Sequence, residues 1–121
     1  MRRWAAVLML SMMIASPSLA QSTYAQYQEQ LLRMAEIMGS LHQLRSLCDR
    51  DENQLWRSNM QRLIEIESPS EEMRQKLVQR FNQSVEQQRR AYSSCNRDAT
   101  NEIKRLAREG ERLTGTLAGR R

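Results

Sequence analysis

The chain has 121 residues and a formal net charge of +5, from 19 Lys and Arg residues against 14 Asp and Glu residues. This length fits one small domain, and with one Phe and two Trp its core must be built mainly from aliphatic residues and methionine. No basic cluster is interleaved with aromatic residues, so the excess positive charge does not indicate a nucleic-acid-binding protein.

The first 20 residues have the three-part form of a secretory signal peptide. A basic start of two arginines precedes an uncharged, mostly apolar run over residues 4–15, and Ser18 and Ala20 supply the small residues found before a cleavage site. The apolar run is shorter than the roughly 20 residues that a membrane-spanning helix needs. We therefore expect a signal peptide over 1–20, one domain over 21–121 without a transmembrane segment, and a periplasmic location.

Helical periodicity recurs in four later segments, whereas strand patterns are nearly absent. The first helix is predicted from Thr23 to Leu47. Gly39 lies inside it, where the missing side chain is expected to permit close contact with another helix. The second helix is predicted from Glu52 to Glu67, with Asp51 as its N-cap.

A serine and proline pair predicts the start of the third helix. Ser68 is the expected cap, Pro69 the first helical residue, and Glu71 the residue that reaches back to the backbone N–H of Ser68. The apolar stripe of this helix continues to Cys95, and a fourth helix begins near Asn96, another good cap. Four amphipathic helices with short connections favour an all-α fold, a small antiparallel bundle of about four helices.

Many charged residues have an opposite charge four residues away, as in Glu29 with Arg33 and Arg105 with Glu109. Side chains at this spacing meet on a helix, so the charges are typical of a solvated helical surface. The alternative is attraction to anionic material of the cell envelope, such as lipid headgroups or acidic glycans.

The two cysteines, Cys48 and Cys95, are predicted to form one disulfide, because paired cysteines in a small exported domain usually do so. An up-down-up path through the first three helices brings both to the same end of the bundle. The third helix exceeds the second by about 13 Å, so tilted packing or an early end to the third helix must absorb the difference. A redox-active or metal-binding pair is the alternative, but the Cys-x-x-Cys spacing is missing.

Chemical motifs are mostly excluded. The single histidine, His42, would need Met38 or a cysteine thiolate to bind a metal, and we favour a half-buried histidine hydrogen-bonded to a neighbouring helix. Residues 49–53 begin like a calcium-binding loop, but Gln54 and Met60 replace the required Gly and Glu. No catalytic constellation is found, so we predict no enzyme, no metal site and no cofactor. The candidates for an interaction site or a structural polar site are His42, Arg45, Trp56 and Asn82.

A set of short motifs runs through the helical segments: residues 31–48, Trp56-Arg57 and Met60, Arg80-Phe81-Asn82, the segment from Tyr92 to Cys95, and Glu109-Gly110 with Leu113. In these residues the chain resembles an uncharacterised family of small secreted proteins from alphaproteobacteria. The resemblance implies a periplasmic location, and it suggests no activity, ligand or catalytic residue.

Three functions remain as hypotheses. The leading one is a non-catalytic interaction or accessory protein of the envelope, whose partner is an envelope protein or an anionic envelope component. The second is an ATP-independent periplasmic chaperone that holds unfolding clients in an exposed apolar groove. The third is a metal or haem sensor that uses His42 with Met38 or a free Cys48.

Overall fold

The computed structural model describes residues 19–49 and 54–119, and these residues form four helices without strands. The helices are α1 (Leu19–Cys48), α2 (Leu55–Glu67), α3 (Glu71–Ala91) and α4 (Arg97–Ala118). The predicted all-α fold of four helices is confirmed. Residues 1–18 of the predicted signal peptide and the predicted cap Asp51 lie outside the described residues.

The helices alternate in direction around α1. A hydrogen bond from the Tyr27 hydroxyl to the Glu67 carboxylate joins the first half of α1 to the end of α2. Arg33 in α1 pairs with Glu109 in the second half of α4, while the disulfide joins the end of α1 to the segment after α3. Helices α2 and α4 therefore run antiparallel to α1, and α3 runs parallel to it.

The longest helix, α1, is the centre of the bundle, because α2, α3 and α4 each pack on it. A helix surrounded in this way buries side chains on several faces rather than on one stripe. The buried apolar residues of α1 are Leu31, Leu32, Met34, Ala35, Ile37, Leu41 and Leu44.

The core has two clusters. One surrounds Leu77 and Phe81 and joins the first half of α1 to α2, α3 and the end of α4. The other lies nearer the disulfide and joins Leu44 of α1 to Ala99 and Ile103 of α4. Truncating a buried Leu or Ile to Ala typically costs about 2–5 kcal/mol, so these contacts are large terms for a domain of this size.

Gly39 permits a close approach of α1 to α3, as the sequence predicts. A Cβ atom at this position would lie 3.0 Å from the Phe81 Cα and nearer still to the Phe81 carbonyl oxygen. Any side chain there would therefore collide with backbone, which cannot rotate away as a side chain can.

The junction between α2 and α3 differs from the prediction. Ser68 ends α2 as its C-cap with φ 42° and ψ 53°, and its N–H donates to the Ile64 carbonyl. The N-cap of α3 is Ser70, whose hydroxyl accepts from the Met73 N–H at 3.2 Å. The predicted capping box of Ser68 and Glu71 is therefore wrong. Capping at Ser70 places two glutamates in the first turn of α3, where the helix dipole favours negative charge.

Other helix ends also differ from the predicted boundaries. Helix α1 starts four residues before Thr23, and α2 starts at Leu55, with Gln54 in the cap position and no side-chain cap bond. The predicted start of α2, Glu52, lies outside the described residues. The predicted cap of α4 is confirmed, because the Asn96 side chain accepts from the Ala99 N–H at 2.8 Å.

The predicted disulfide between Cys48 and Cys95 is present, with a Cα–Cα distance of 5.1 Å. Helix α3 ends at Ala91, and Tyr92 has an extended backbone with φ −132° and ψ 114°. The early end of α3 is one of the two predicted ways to absorb its excess length, and the non-helical segment 92–96 after it carries Cys95 to the end of α1.

Candidate functional site

The most prominent concave feature is a cleft of about 690 Å³ over α1, with α2 and α4 as its walls. Both walls pack on α1 without pairing closely with each other, so a channel remains between them. Its volume falls within the range typical of small-molecule sites. The lining consists of Met34, Ile37, Met38, Leu41 and Arg45 from α1, Trp56, Asn59, Arg62, Leu63 and Ile66 from α2, and Ala107, Gly110, Glu111, Thr114, Leu117 and Ala118 from α4.

The floor of the cleft is buried and its edge is exposed. On the floor, Met34 is 5% exposed, and Ile37 and Leu41 are each 1% exposed, because they belong to the two core clusters. At the edge, Ile66 is 57% exposed, which is unusual for a large apolar side chain and leaves an apolar entrance. The open apolar surface therefore lies near the rim.

Small residues on α4 create the space. Ala107, Gly110, Thr114 and Ala118 recur at intervals of three and four residues, which places them on one face of the helix. A Cβ atom added at Gly110 would lie 3.4 Å from the Ile37 side chain, so even this position faces the floor closely. Larger side chains on this face would fill the cleft.

Two polar side chains lie at the end of the cleft nearest the disulfide. These are Trp56, near the start of α2, and Arg45, near the end of α1. The Trp56 Nε1 is buried and finds no acceptor among residues 19–49 and 54–119, which is costly for a buried donor. Arg62 lies farther along α2, is exposed, and forms no ion pair within the described part of the chain.

The opposite end of the cleft is apolar. Its lining comes from the end of α2 and the end of α4, through Ile66, Leu117 and Ala118. Glu111 on α4 is the one carboxylate among the lining residues. The cleft therefore combines an apolar end with a cationic, hydrogen-bond-donating end.

The four predicted interaction candidates do not form one site. Arg45 and Trp56 lie together in the cleft, whereas His42 and Asn82 do not line it. His42 is buried rather than half-buried, with its ring centroid 5.7 Å from that of Phe81 on α3. Asn82 is exposed on α3.

Several lining residues, including Arg62 and Ile66, are not among the candidates predicted from the sequence. The signal that could have indicated the α4 wall is the spacing of three and four between small residues from Ala107 to Ala118, which predicts a helix face that lies close to another helix. The apolar stripe of α2 does not reveal that Ile66 remains exposed, because the extent of burial depends on where the neighbouring helix lies.

A cluster of ion pairs beside the cleft holds three helices together. The Arg33 guanidinium donates to both Glu109 carboxylate oxygens at 2.7 Å, which links α1 to α4. Glu36 accepts from Arg33 at 2.8 Å and from Arg80 of α3 at 2.6 Å. The hydrogen bond from Arg33 lowers the pKa of Glu109 and raises the pKa of Arg33 itself. None of these four residues lines the cleft, so we assign them a structural role.

Within residues 19–49 and 54–119, no group of three or more His, Cys, Asp or Glu side chains is arranged to hold a metal ion. Over the same ranges, no helix combines the length and the apolar character needed to cross a membrane.

Comparison with known proteins identifies a family but no activity. The model of a family described as "Protein of unknown function (DUF2385)" matches residues 26–120, which cover nearly all of the helical domain. No curated protein and no solved structure matches the chain. The function must therefore be argued from the residues of this chain.

Proposed function

This chain belongs to the DUF2385 family, and we propose that it is a small exported, non-catalytic interaction protein of the cell envelope. Export to the periplasm is supported by the signal-peptide pattern of residues 1–20. The non-catalytic role is supported by the lack of any motif that would unite a nucleophile, a base and an oxyanion site in the sequence.

The cleft between α2 and α4 is the observation that carries the proposal. Ile66 at the edge of the cleft is 57% exposed, and part of the cleft walls remains open to solvent. A ligand that covers this surface gains about 25 cal/mol for each Å² of apolar area removed from water. Binding at the cleft thus has a driving force that requires no reactive group.

A chaperone that holds unfolding clients is the second candidate, because an open apolar cleft also suits that role. The limited volume of about 690 Å³ favours one defined ligand over many clients. Suppression of light scattering from an aggregating client at equimolar ratio would support the chaperone, and unchanged scattering would reject it.

Two residues that a metal or haem sensor would use as ligands have other contacts. Cys48 is bonded to Cys95, and His42 packs against Phe81 in the interior. The sensor hypothesis therefore has the least support of the three.

Site-specific photo-crosslinking in living cells tests the proposal. A benzophenone side chain would replace Asn59, in the cleft wall on α2, or Gln83, an exposed control on α3. We expect adducts from position 59 and not from position 83, in protein recovered from the periplasm with residues 1–20 removed. Equal adducts at both positions would contradict the role of the cleft, and cytoplasmic protein that retains residues 1–20 would contradict export.

A further inference from the structure

We propose that the cleft binds a monomeric single-chain carboxylate amphiphile, with its alkyl chain along α1 and its carboxylate at the Trp56 end. This inference deepens the proposed function, because it names the chemical class of the envelope component that the cleft holds.

The shape of the cleft favours a slender chain. From Met34 to Arg45 the floor spans about 16 Å, at 1.5 Å per residue of α1. On that floor Ile37 and Leu41 are 1% exposed, because they belong to the core cluster that joins α1 to α4. A partner helix has a diameter of about 10–12 Å and would need a wide opening of the cleft to reach this floor. An alkyl chain is more slender and needs a smaller opening.

The lining suits an alkyl chain along most of its length. Met34 and Met38 contribute flexible thioether side chains, which adapt to ligands of irregular shape. Ala107 and Ala118 on the facing wall have small side chains that occupy little of the cleft. Each buried methylene is expected to strengthen binding about fourfold, so affinity should rise steeply with chain length.

The positions of polar groups orient the ligand. Among residues 19–49 and 54–119, the buried Trp56 Nε1 has no acceptor, and Arg45 brings a guanidinium to the same end of the cleft. A carboxylate accepts charge-assisted hydrogen bonds from such groups. Arg62 adds a second positive charge farther along the α2 wall, and Leu117 at the far end is apolar.

The test is calorimetric titration of the full chain with defined probes below their micelle concentrations. Dodecanoate is the expected ligand, octanoate tests chain length, and dodecyltrimethylammonium tests the sign of the head charge. We expect one dodecanoate per chain, octanoate weaker by about two orders of magnitude, and the cation weaker than dodecanoate.

Two matched pairs of variants locate the site. Thr114 lines the cleft and Thr116 does not, yet both hydroxyls donate to the carbonyl four residues earlier in α4. Thr114→Trp should fill the cleft and weaken binding at least about tenfold, whereas Thr116→Trp should leave it unchanged. Arg62→Gln should weaken dodecanoate binding severalfold, and Arg108→Gln, at an exposed α4 position outside the cleft, should not.

An independent readout avoids dependence on the folding of variants. In wild-type protein with labelled methionine methyl groups, dodecanoate should shift the NMR signals of Met34 and Met38 much more than that of Met73, which lies outside the cleft.

Several results would overturn the inference. These are no binding of dodecanoate, equal binding by Thr114→Trp, equal binding of dodecyltrimethylammonium, or binding only to anionic phospholipid vesicles. An acidic amphipathic peptide that binds in the cleft when dodecanoate does not would identify a helix as the occupant. Adducts to a protein at position 59 without dodecanoate binding would overturn this inference and leave the proposed function standing. Dodecanoate binding by a protein that is not exported would support this inference and contradict the proposed function.

Discussion

Replacement of Gly39 by Ala tests the packing that makes α1 the central helix. The added Cβ atom would lie 3.0 Å from the Phe81 Cα and nearer to its carbonyl oxygen, so α1 and α3 must move apart. Overpacking costs about 1–3 kcal/mol, and a clash with backbone belongs at the upper end of this range. The gain in helix propensity from Gly to Ala returns about 1 kcal/mol. The net expectation is a loss of about 2 kcal/mol in the free energy of unfolding.

The matched control is Gly115→Ala in α4. A Cβ atom at Gly115 would meet nothing within 4 Å, so only the propensity gain applies. This variant is expected to be more stable than the wild type by up to about 1 kcal/mol. The two substitutions are chemically identical, and they differ only in what lies beside the glycine.

Thermal and urea unfolding, followed by circular dichroism, would measure both variants. For a domain of about 100 residues, a loss of 2 kcal/mol lowers the Tm by about 8–16 °C. A Gly39→Ala variant as stable as Gly115→Ala would refute the close approach of α1 to α3 and the position of Phe81 that depends on it.

The remaining predictions concern the disulfide, the N-cap of α3 and the salt bridge of Glu109. Reduction of the disulfide, whose cysteines are 47 residues apart, should lower the unfolding free energy by about 4 kcal/mol in urea titrations, and an unchanged midpoint would argue against the bridge. Ser70→Ala should cost about 1 kcal/mol through the lost cap of α3, whereas Ser68→Gly should hold or raise stability because a φ of 42° suits glycine. The pKa of Glu109 is lowered by Arg33, so its stabilising contribution is present above its unfolded pKa and disappears as pH falls through its folded pKa. Glu109→Gln should therefore be less stable than wild type at pH 7, and the difference should shrink as pH falls below about 4.3, the ordinary pKa of an unfolded Glu, as measured by urea unfolding at each pH.

The central position of α1 explains both the stability and the cleft. Three helices pack on α1, and α3 approaches it most closely because Gly39 offers no side chain. The short helix α2 buries only Met60 and Leu63 and has no side-chain N-cap bond, so its packing on α1 is the least extensive of the three. A wall of this kind can adjust to a ligand at lower cost than α3 or α4.

Local signals in the sequence were sufficient to predict the four helices and the disulfide. Apolar residues at intervals of three and four predict four helices, the side chain of Asn96 predicts the start of α4, and two cysteines in an up-down-up path predict the bridge of Cys48 to Cys95. Each of these depends on residues close in the chain or on a single long-range pairing with no competitor.

The tertiary structure decided every feature in which several local solutions compete. Both Ser68 and Ser70 can cap a helix, and the geometry of the turn after α2 selects Ser70. Arg33 has Glu29 at helical spacing, yet α4 brings Glu109 within bidentate reach. The cleft likewise exists because α2 and α4 each pack on α1 without pairing closely with each other. Relative helix positions are set by the summed packing of all four helices, and no local pattern along the chain encodes that sum.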